Sequence, residues 1–364
     1  MTSTGNQSQH LGNKRVQWID AAKGIAILLV LLAHSNFWDF CTVYSDHFPI
    51  IIPIKKILYL MMSAFMPLYY VLSGYTFVNK PNALNLRFKR LLIPYVIWGM
   101  LSLLVTWFTL HTKDITFANI LSPVGGLLYS RFSLYPLGNN TNIFLFPVCS
   151  SPLWFLTSLC TSYLCFIPLL KWQQHQVVLS ICYITCSILL SFSPILLPWS
   201  IDTAPVGALF ILAGHKMKEW KIFTVSLPWL QLVSLALILI YIYLVQFNGG
   251  INMSVRQYGQ TPYLSPIIFI LIGIIGSFLY CTLCIILEKC HLSRGLAYIG
   301  RISLTLLCSH MFVYGVIYKL TPHIYKLFTN THQQCPYRFI IEIMSALIFA
   351  IILRLCPTKW GTTK

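Results

Sequence analysis

Charged residues are scarce in this chain of 364 residues, and acidic residues are the scarcest of them. Only 9% of the residues are charged, and the chain has 8 Asp and Glu residues in total. A soluble globular domain carries about 25% charged residues, so an ordinary soluble protein is excluded. The sequence also lacks an uninterrupted polar stretch that could enclose its own core, which excludes a large soluble catalytic domain.

Hydrophobic residues make up 57% of the chain instead. They form runs of about 20 residues, and a helix of that length crosses a hydrocarbon core about 30 Å thick. We therefore predict an all-α fold: a polytopic transmembrane helical bundle of about ten spans, forming one integral-membrane domain over residues 1–364. The expected spans are 18–37, 57–78, 91–110, 152–170, 177–197, 203–215, 226–246, 264–287, 297–319 and 337–356.

The formal net charge is +17, and the membrane explains this excess without a nucleic-acid partner, so none is predicted. Basic residues collect in the short cytoplasmic loops of polytopic proteins. With the N-terminus inside, alternate sides carry 16 and 8 basic residues. This count predicts two cytoplasmic termini, a cytoplasmic tail at 1–17 and a long extracytoplasmic loop at 111–151. The Gly, Pro and Asn residues of that loop suit either sugar binding or a solvated connection.

Most of the 12 cysteines lie inside apolar runs, where a small polarizable side chain packs well. Cys281 and Cys284 have the spacing of metal ligands. The sequence lacks a second Cys or His pair to complete such a site, and we predict no metal site.

Three polar side chains, Asp20, Lys23 and His34, lie in the first apolar run. A charged group inside a span is costly unless it has a partner or a water-filled cavity, so these residues are functional candidates. Lys23 and His34 are 11 residues apart, which is about three helical turns and about 16 Å, so they share one helix face. Asp20 precedes Lys23 by three residues and can pair with its ammonium. Considered alone, Lys23 also fits a lysine whose ammonium reaches the membrane interface. Considered alone, His34 also fits an unrelated histidine that caps the span.

A second polar cluster, Arg87-Phe88-Lys89-Arg90, precedes the third apolar run. The spacing of Arg87 and Arg90 places both guanidiniums on one side of a helix, which suits bidentate binding of phosphate oxygens. The same cluster also fits a topogenic signal at the cytoplasmic surface.

These residues belong to a larger set of motifs that follow one another along nearly the whole chain. The motifs are Asp20 and Lys23-Gly24 followed by His34, Ser73-Gly74-Tyr75, Arg87-x-x-Arg90 with Pro94-Tyr95, Pro152-Leu153-Trp154-Phe155-Leu156, and His310. The set resembles the membrane O-acyltransferases of the acyltransferase-three family. The branch that looks nearest acetylates sugars of surface polysaccharides, including fucose and O-antigen units.

The resemblance implies a multi-pass enzyme of the cell inner membrane that moves an acetyl or other acyl group from acyl-CoA to a sugar hydroxyl. The acceptor would be a surface polysaccharide or its lipid-linked precursor, such as O-antigen. Acetyl-CoA would be a donor substrate, with no bound cofactor, and the glycan and the lipid bilayer would be the other partners. The resemblance also implies that His34 is needed for transfer and that Arg87 and Arg90 serve the acyl donor.

Chemical reasoning adds further expectations to this resemblance. Imidazole has an ordinary pKa of about 6.5, which suits His34 as the base that accepts and returns a proton. Lys23, positioned by Asp20, would hold the pyrophosphate or the pantetheine amide of the donor. Because no Ser or Cys stands beside a base in the sequence, direct transfer is favoured over an acyl-Ser or acyl-Cys enzyme, and an acyl-His intermediate stays open.

Four further residues are candidates for acceptor binding. Asp39 and Asp46 follow His34 and could orient its imidazole or contact the acceptor. Trp154 and His310 are polar points inside apolar runs. A lone intramembrane histidine also often bonds between helices, which is the alternative for His310.

An exporter or flippase of a surface polysaccharide is the competing function, because ten spans with intramembrane charges suit transport as well. The sequence shows neither repeat symmetry between its halves nor matching broken helices, features of many transporters. A membrane scaffold without chemistry is the third class, and the shared face of Lys23 and His34 argues against it.

Overall fold

The computed structural model describes residues 15–109, 116–131, 134–136, 148–329 and 337–355. Within these ranges the chain folds into fourteen α-helices and contains no β-strand, which confirms the all-α prediction. The helices are α1 Gln17–His34, α2 Phe37–Tyr44, α3 Ile51–Met62, α4 Phe65–Tyr75, α5 Ala83–Thr109, α6 Phe117–Tyr129, α7 Trp154–Lys171, α8 Gln176–Ser191, α9 Ala204–Glu219, α10 Leu227–Asn248, α11 Ser265–Lys289, α12 Arg294–Arg301, α13 Ser303–Thr329 and α14 Arg338–Leu355.

Eight helical segments of the described chain are long and apolar enough to cross a membrane, which fits a polytopic membrane protein. They are Gln17–His34, Ile51–Tyr75, Ala83–Phe108, Ser150–Lys171, Gln173–Ser191, Leu227–Asn248, Ser265–Lys289 and Ser303–His323. The other two predicted spans are also helical, but α9 has only 16 residues and α14 carries three charged residues. A count of ten spans and the cytoplasmic position of both termini stay predictions.

Helix α1, which carries the polar face, is largely enclosed by protein. Two thirds of it, 67%, is buried, and it packs against α4, α11, α12 and α13. Helices α8 and α10 are only 6% and 17% buried and present Leu, Ile and Val side chains outward. In a membrane such side chains contact lipid tails, which are as apolar as leucine. The polar residues of α1 therefore have protein neighbours on most sides.

Three element boundaries differ from the sequence prediction. The first helix ends at His34, because the next residue is extended. The predicted span 57–78 consists of α3 and α4, which are separated at residues 63–64. The predicted span 297–319 covers parts of α12 and α13, with a break at Ile302. The sequence shows which runs are apolar, whereas tertiary packing decides at which residue each helix begins and ends.

The segment 111–151, expected to be a loop, contains helix α6. The helix packs on α5, where the Tyr95 hydroxyl donates a hydrogen bond of 2.5 Å to the Leu127 carbonyl. Asn139, Asn140 and Asn142, the expected polar residues of this segment, lie outside the described residues.

Candidate functional site

A cavity of about 480 Å³ lies at the C-terminal end of α1, a volume within the range of about 300–1,000 Å³ found for small-molecule pockets. Its walls come from α1, α2, α3, α4, α11 and α13, from residues 151–152 and 251–254, and from Trp154 at the start of α7. His34 is the last residue of α1 and is exposed on this wall. The structure thus places two of the predicted site residues, His34 and Trp154, around one cavity.

His310 lies directly behind His34. The two ring centroids are 5.3 Å apart, and His310 is fully buried in α13. Nδ1 of His310 is 2.9 Å from the Leu306 carbonyl oxygen. A carbonyl oxygen only accepts, so Nδ1 carries the proton and Nε2 of the neutral ring is an acceptor. Nε2 has no hydrogen-bond partner among the described residues, so the structure does not make His310 a satisfied interhelical histidine.

The turn that follows His34 is held by α14. The backbone N–H of Asn36 donates to Glu342 Oε2 at 2.8 Å, and Arg338 Nη2 donates to the Asn36 side-chain oxygen at 2.7 Å. Arg338 and Glu342 are themselves paired at 3.0 Å. Neither residue was predicted from the sequence, in which both are isolated charges at the start of the last apolar run. Their contacts fix the direction in which the chain leaves His34.

Asp20 lies near the other end of α1, where its buried carboxylate faces three cations. Oδ1 is 3.9 Å from Lys23 Nζ, and Oδ2 is 3.4 Å from Arg15 Nε and 3.8 Å from Arg301 Nε. One carboxylate among three cations leaves a net positive charge, and the Lys23 side chain is 32% exposed. Such a cluster suits an anionic ligand such as a phosphate.

Arg301 reaches Asp20 because α12 crosses α1 at very close range. A Cβ atom at Gly300 would lie 1.7 Å from the Asp20 carbonyl oxygen, and one at Gly24 would lie 2.0 Å from the Leu296 carbonyl oxygen. Real side chains do not approach a backbone so closely, so only glycine fits at both positions. The glycine in the Lys23-Gly24 motif therefore serves the contact between the two helices.

The two arginines of the second cluster have different environments. The Arg87 guanidinium donates to the carbonyl oxygens of Ser73 at 3.4 Å and Thr76 at 2.8 Å, and to the Tyr163 hydroxyl. These contacts hold the C-terminal end of α4. Arg90 is exposed, and no described residue bonds its guanidinium. The Arg87 guanidinium is therefore bonded to protein groups, whereas the Arg90 guanidinium is available to a ligand.

Asp39 and Asp46 are not brought to the cavity. Asp39 is exposed in the first turn of α2, and Asp46 is exposed in the turn after that helix. Neither residue lines the cavity that contains His34.

A buried charged triad lies beside the cavity and was missed by sequence analysis. Asp202 pairs with Arg131, and its Oδ2 is 2.9 Å from Arg256 Nη1; all three side chains are at most 1% exposed. Arg131 also donates to the carbonyl oxygen of Ser254, which is a cavity residue. Asp202 stands at the end of an apolar run in a chain with 8 acidic residues. Because acidic residues are so rare in this sequence, an acidic residue at that position was the signal that could have indicated a buried ion pair.

The chain matches the model of a known protein family. The model of the acyltransferase-three family, described as Acyltransferase domain, matches residues 16–355. No curated protein and no solved structure matches the chain. The matched residues include both ends of the polar face of α1, the two arginines and both histidines.

Proposed function

The chain belongs to the acyltransferase-three family of membrane acyltransferases, and we propose that it transfers an acetyl or other acyl group from acyl-CoA to a sugar hydroxyl. The proposed acceptor is a surface polysaccharide or its lipid-linked precursor, such as an O-antigen unit, at the cell inner membrane. The observation that supports this function best is the position of His34, which is exposed on the wall of a cavity large enough for a sugar.

His34 is the proposed general base. Its unprotonated ring nitrogen accepts the proton of the acceptor hydroxyl while the hydroxyl oxygen forms a bond to the acyl carbon. The bond between that carbon and the sulfur of coenzyme A then breaks, and the thiolate takes the proton from the imidazolium. The proton and the acyl group are both accounted for, and the ring returns to its neutral form. An acyl-His34 intermediate followed by transfer to the sugar gives the same products.

The cation cluster of Arg15, Lys23 and Arg301 around Asp20 is the proposed site for the anionic part of the donor. It adjoins the predicted cytoplasmic end of α1, where acyl-CoA is available. Arg90 is free to contact a further phosphate, and Arg87 has guanidinium hydrogens beyond its three bonds to protein. Lys23 and His34 are separated by about 16 Å along α1, so the pantetheine arm must extend between them.

The acceptor would occupy the cavity between His34 and Trp154. The indole offers an apolar surface, and His34 offers a polar contact to a hydroxyl group. Asp39 and Asp46 would contact only a glycan that extends beyond the cavity.

A deletion strain tests the proposed function against polysaccharide export. Mass spectrometry measures the acyl groups on each repeat of the surface polysaccharide, and a total carbohydrate assay measures its amount. We expect a normal amount of polysaccharide that lacks one acyl group per repeat. A reduced surface amount, with unmodified polymer retained inside and unchanged acylation of what is exported, would overturn the proposal. The purified protein should also transfer acyl groups without any ion gradient.

A further inference from the structure

A second hollow adjoins the cavity that contains His34. It has a volume of about 400 Å³ and is lined by Trp38, Lys55, Lys56, Tyr59, Leu60 and Gln246. Trp38 and Tyr59 also line the first cavity, so the two spaces share a wall. We call the second space the lysine hollow. A ligand that reaches His34 past these two aromatic rings also reaches the two lysines.

The lysine hollow is positively charged, because two of its described lining residues are lysines. Lys55 and Lys56 are consecutive residues of α3, and among the described residues no Asp or Glu lines either space. The triad beside the first cavity also carries one more positive than negative charge, because Asp202 neutralises only one of its two arginines. An uncompensated cationic wall attracts anions and raises their local concentration.

The other residues of the lysine hollow suit a sugar. Trp38 and Tyr59 are partly exposed and present flat apolar rings with a polar edge. Gln246 is exposed and its amide both donates and accepts hydrogen bonds. Apolar ring surfaces combined with a few polar groups and a fixed charge are typical of sites that select a polar ligand.

We propose that the lysine hollow binds a negatively charged group of the acceptor, so that the acceptor is an anionic glycan rather than a neutral one. A carboxylate of an acidic sugar and a phosphate of a lipid-linked precursor share the required chemistry. The ammonium groups of Lys55 and Lys56 bind this group, and the neighbouring sugar enters the first cavity beside His34. The inference rests on the proposed acyltransferase function and adds the charge of its acceptor.

The test compares Lys55→Gln/Lys56→Gln with wild type in nanodiscs. The acceptor is unacylated polysaccharide from a deletion strain, and both its equilibrium binding and its acylation by acetyl-CoA are measured. We expect acceptor Kd and KM to rise about tenfold and KM for acetyl-CoA to stay unchanged, because two charged contacts of the acceptor are lost. Lys55→Arg/Lys56→Arg should restore most of the affinity. The control Lys171→Gln/Lys289→Gln removes two exposed lysines elsewhere and should behave as wild type.

Two chemical arms identify the anionic group. The same polysaccharide with its carboxyl groups reduced to alcohols should bind wild type and the glutamine variant equally if an acidic sugar is recognised. A neutral repeat on a polyprenyl diphosphate should keep the difference between the two proteins if the phosphate is recognised. Equal binding of native polysaccharide and lipid-linked precursor by wild type and variant would overturn the inference, as would an acceptor without any negative charge.

Three further outcomes have separate meanings. A difference between wild type and variant that appears only in nanodiscs of anionic lipid would assign the lysines to lipid headgroups and overturn the inference. Failure of wild type to acylate any acceptor would overturn the proposed function. A loss of acylation by the variant, with the acceptor affinity unchanged, would place the lysines outside acceptor binding and also contradict the inference.

Discussion

The imidazole rings of His34 and His310 lie 5.3 Å apart with their planes tilted by 47°. One ring is exposed to the cavity and the other is fully buried behind it. The buried ring has an acceptor nitrogen without a described partner. The proposed base on α1 thus has a second titratable ring, from α13, beside it.

Replacement of His310 should lower kcat for acyl transfer and leave the KM for acyl-CoA unchanged. His310→Asn keeps a donor near the position of Nδ1 but removes Nε2, whereas His310→Gln places an amide near Nε2. If Nε2 assists His34, we expect kcat to fall about tenfold or more in the Asn variant, about 1.4 kcal/mol, and to fall less in the Gln variant. Steady-state kinetics checks this, with KM for acyl-CoA unchanged. Full activity in both variants would assign His310 a packing role only.

The base itself should be indispensable. We expect His34→Ala to lower transfer by about 10²–10⁴-fold, because a general base contributes a factor of that size. Acylation of the polysaccharide is compared at matched amounts of inserted protein. His175→Ala changes an exposed histidine between α7 and α8 and should leave acylation normal. Normal acylation by His34→Ala would remove His34 from the mechanism.

Substitutions of the two arginines should have different effects. Replacing Arg90 should weaken donor binding alone, whereas replacing Arg87 should also lower thermal stability. Arg90→Ala should raise KM for acyl-CoA about tenfold with unchanged thermal stability, since its guanidinium is exposed and a charged hydrogen bond contributes about 1.5–3 kcal/mol. Arg87→Ala should also lower Tm, because Arg87 holds the end of α4. Kinetics and thermal unfolding in detergent measure both effects. Lysine at both positions with full donor affinity would contradict bidentate phosphate binding.

The close crossing of α1 and α12 should not tolerate a methyl group. Gly300→Ala places a Cβ atom 1.7 Å from the Asp20 carbonyl oxygen, so the helices must separate. Overpacking of this kind costs about 1–3 kcal/mol, and Tm should fall. Gly295→Ala is the matched control, because it lies in the same helix and its Cβ would have no neighbour within 4 Å. An equal Tm for both variants would show that α1 and α12 can move apart at little cost in stability.

The buried triad should be a major stabilising feature. Asp202→Asn leaves two buried guanidiniums without a counter-charge, and removing one partner of a buried ion pair costs about 3–5 kcal/mol. We expect little protein to accumulate in the membrane and a much lower Tm. Asp46→Asn changes an exposed aspartate and should leave both unchanged. Wild-type accumulation of Asp202→Asn would mean that water or an anion replaces the carboxylate.

The sequence predicted local relationships well. Helical spacing placed Asp20 beside Lys23, and the structure has their side chains 3.9 Å apart. The length and apolar character of the runs predicted the all-α fold because the membrane thickness constrains both. The role of His34 as a base is still a prediction, although its place on the cavity wall agrees with it.

Contacts between distant segments were not predictable in the same way. Glu342 is 306 residues from Asn36, and their hydrogen bond leaves no trace in helical periodicity. Arg131, Asp202 and Arg256 each looked like an ordinary loop or boundary charge. The bonds from Arg87 to the carbonyl oxygens of Ser73 and Thr76 were not predictable, because helical spacing gives the side of a helix and does not reveal the groups of a neighbouring one. The role of Arg87 in phosphate binding is still a prediction.

The docking of α1 on α12 also has a consequence for biosynthesis. Gln17 at the start of α1 bonds Ser293, the residue before α12, across a separation of 276 residues. A nascent chain that has inserted only its first nine helices lacks Arg301 and His310. It also lacks Arg338 and Glu342 of α14, which hold the turn after His34. The ribosome must therefore deliver most of the chain before the first helix meets α11, α12 and α13. During that interval the described ion-pair partners of Asp20 are reduced to Lys23 and Arg15, and a truncated product would insert without Arg301 and His310.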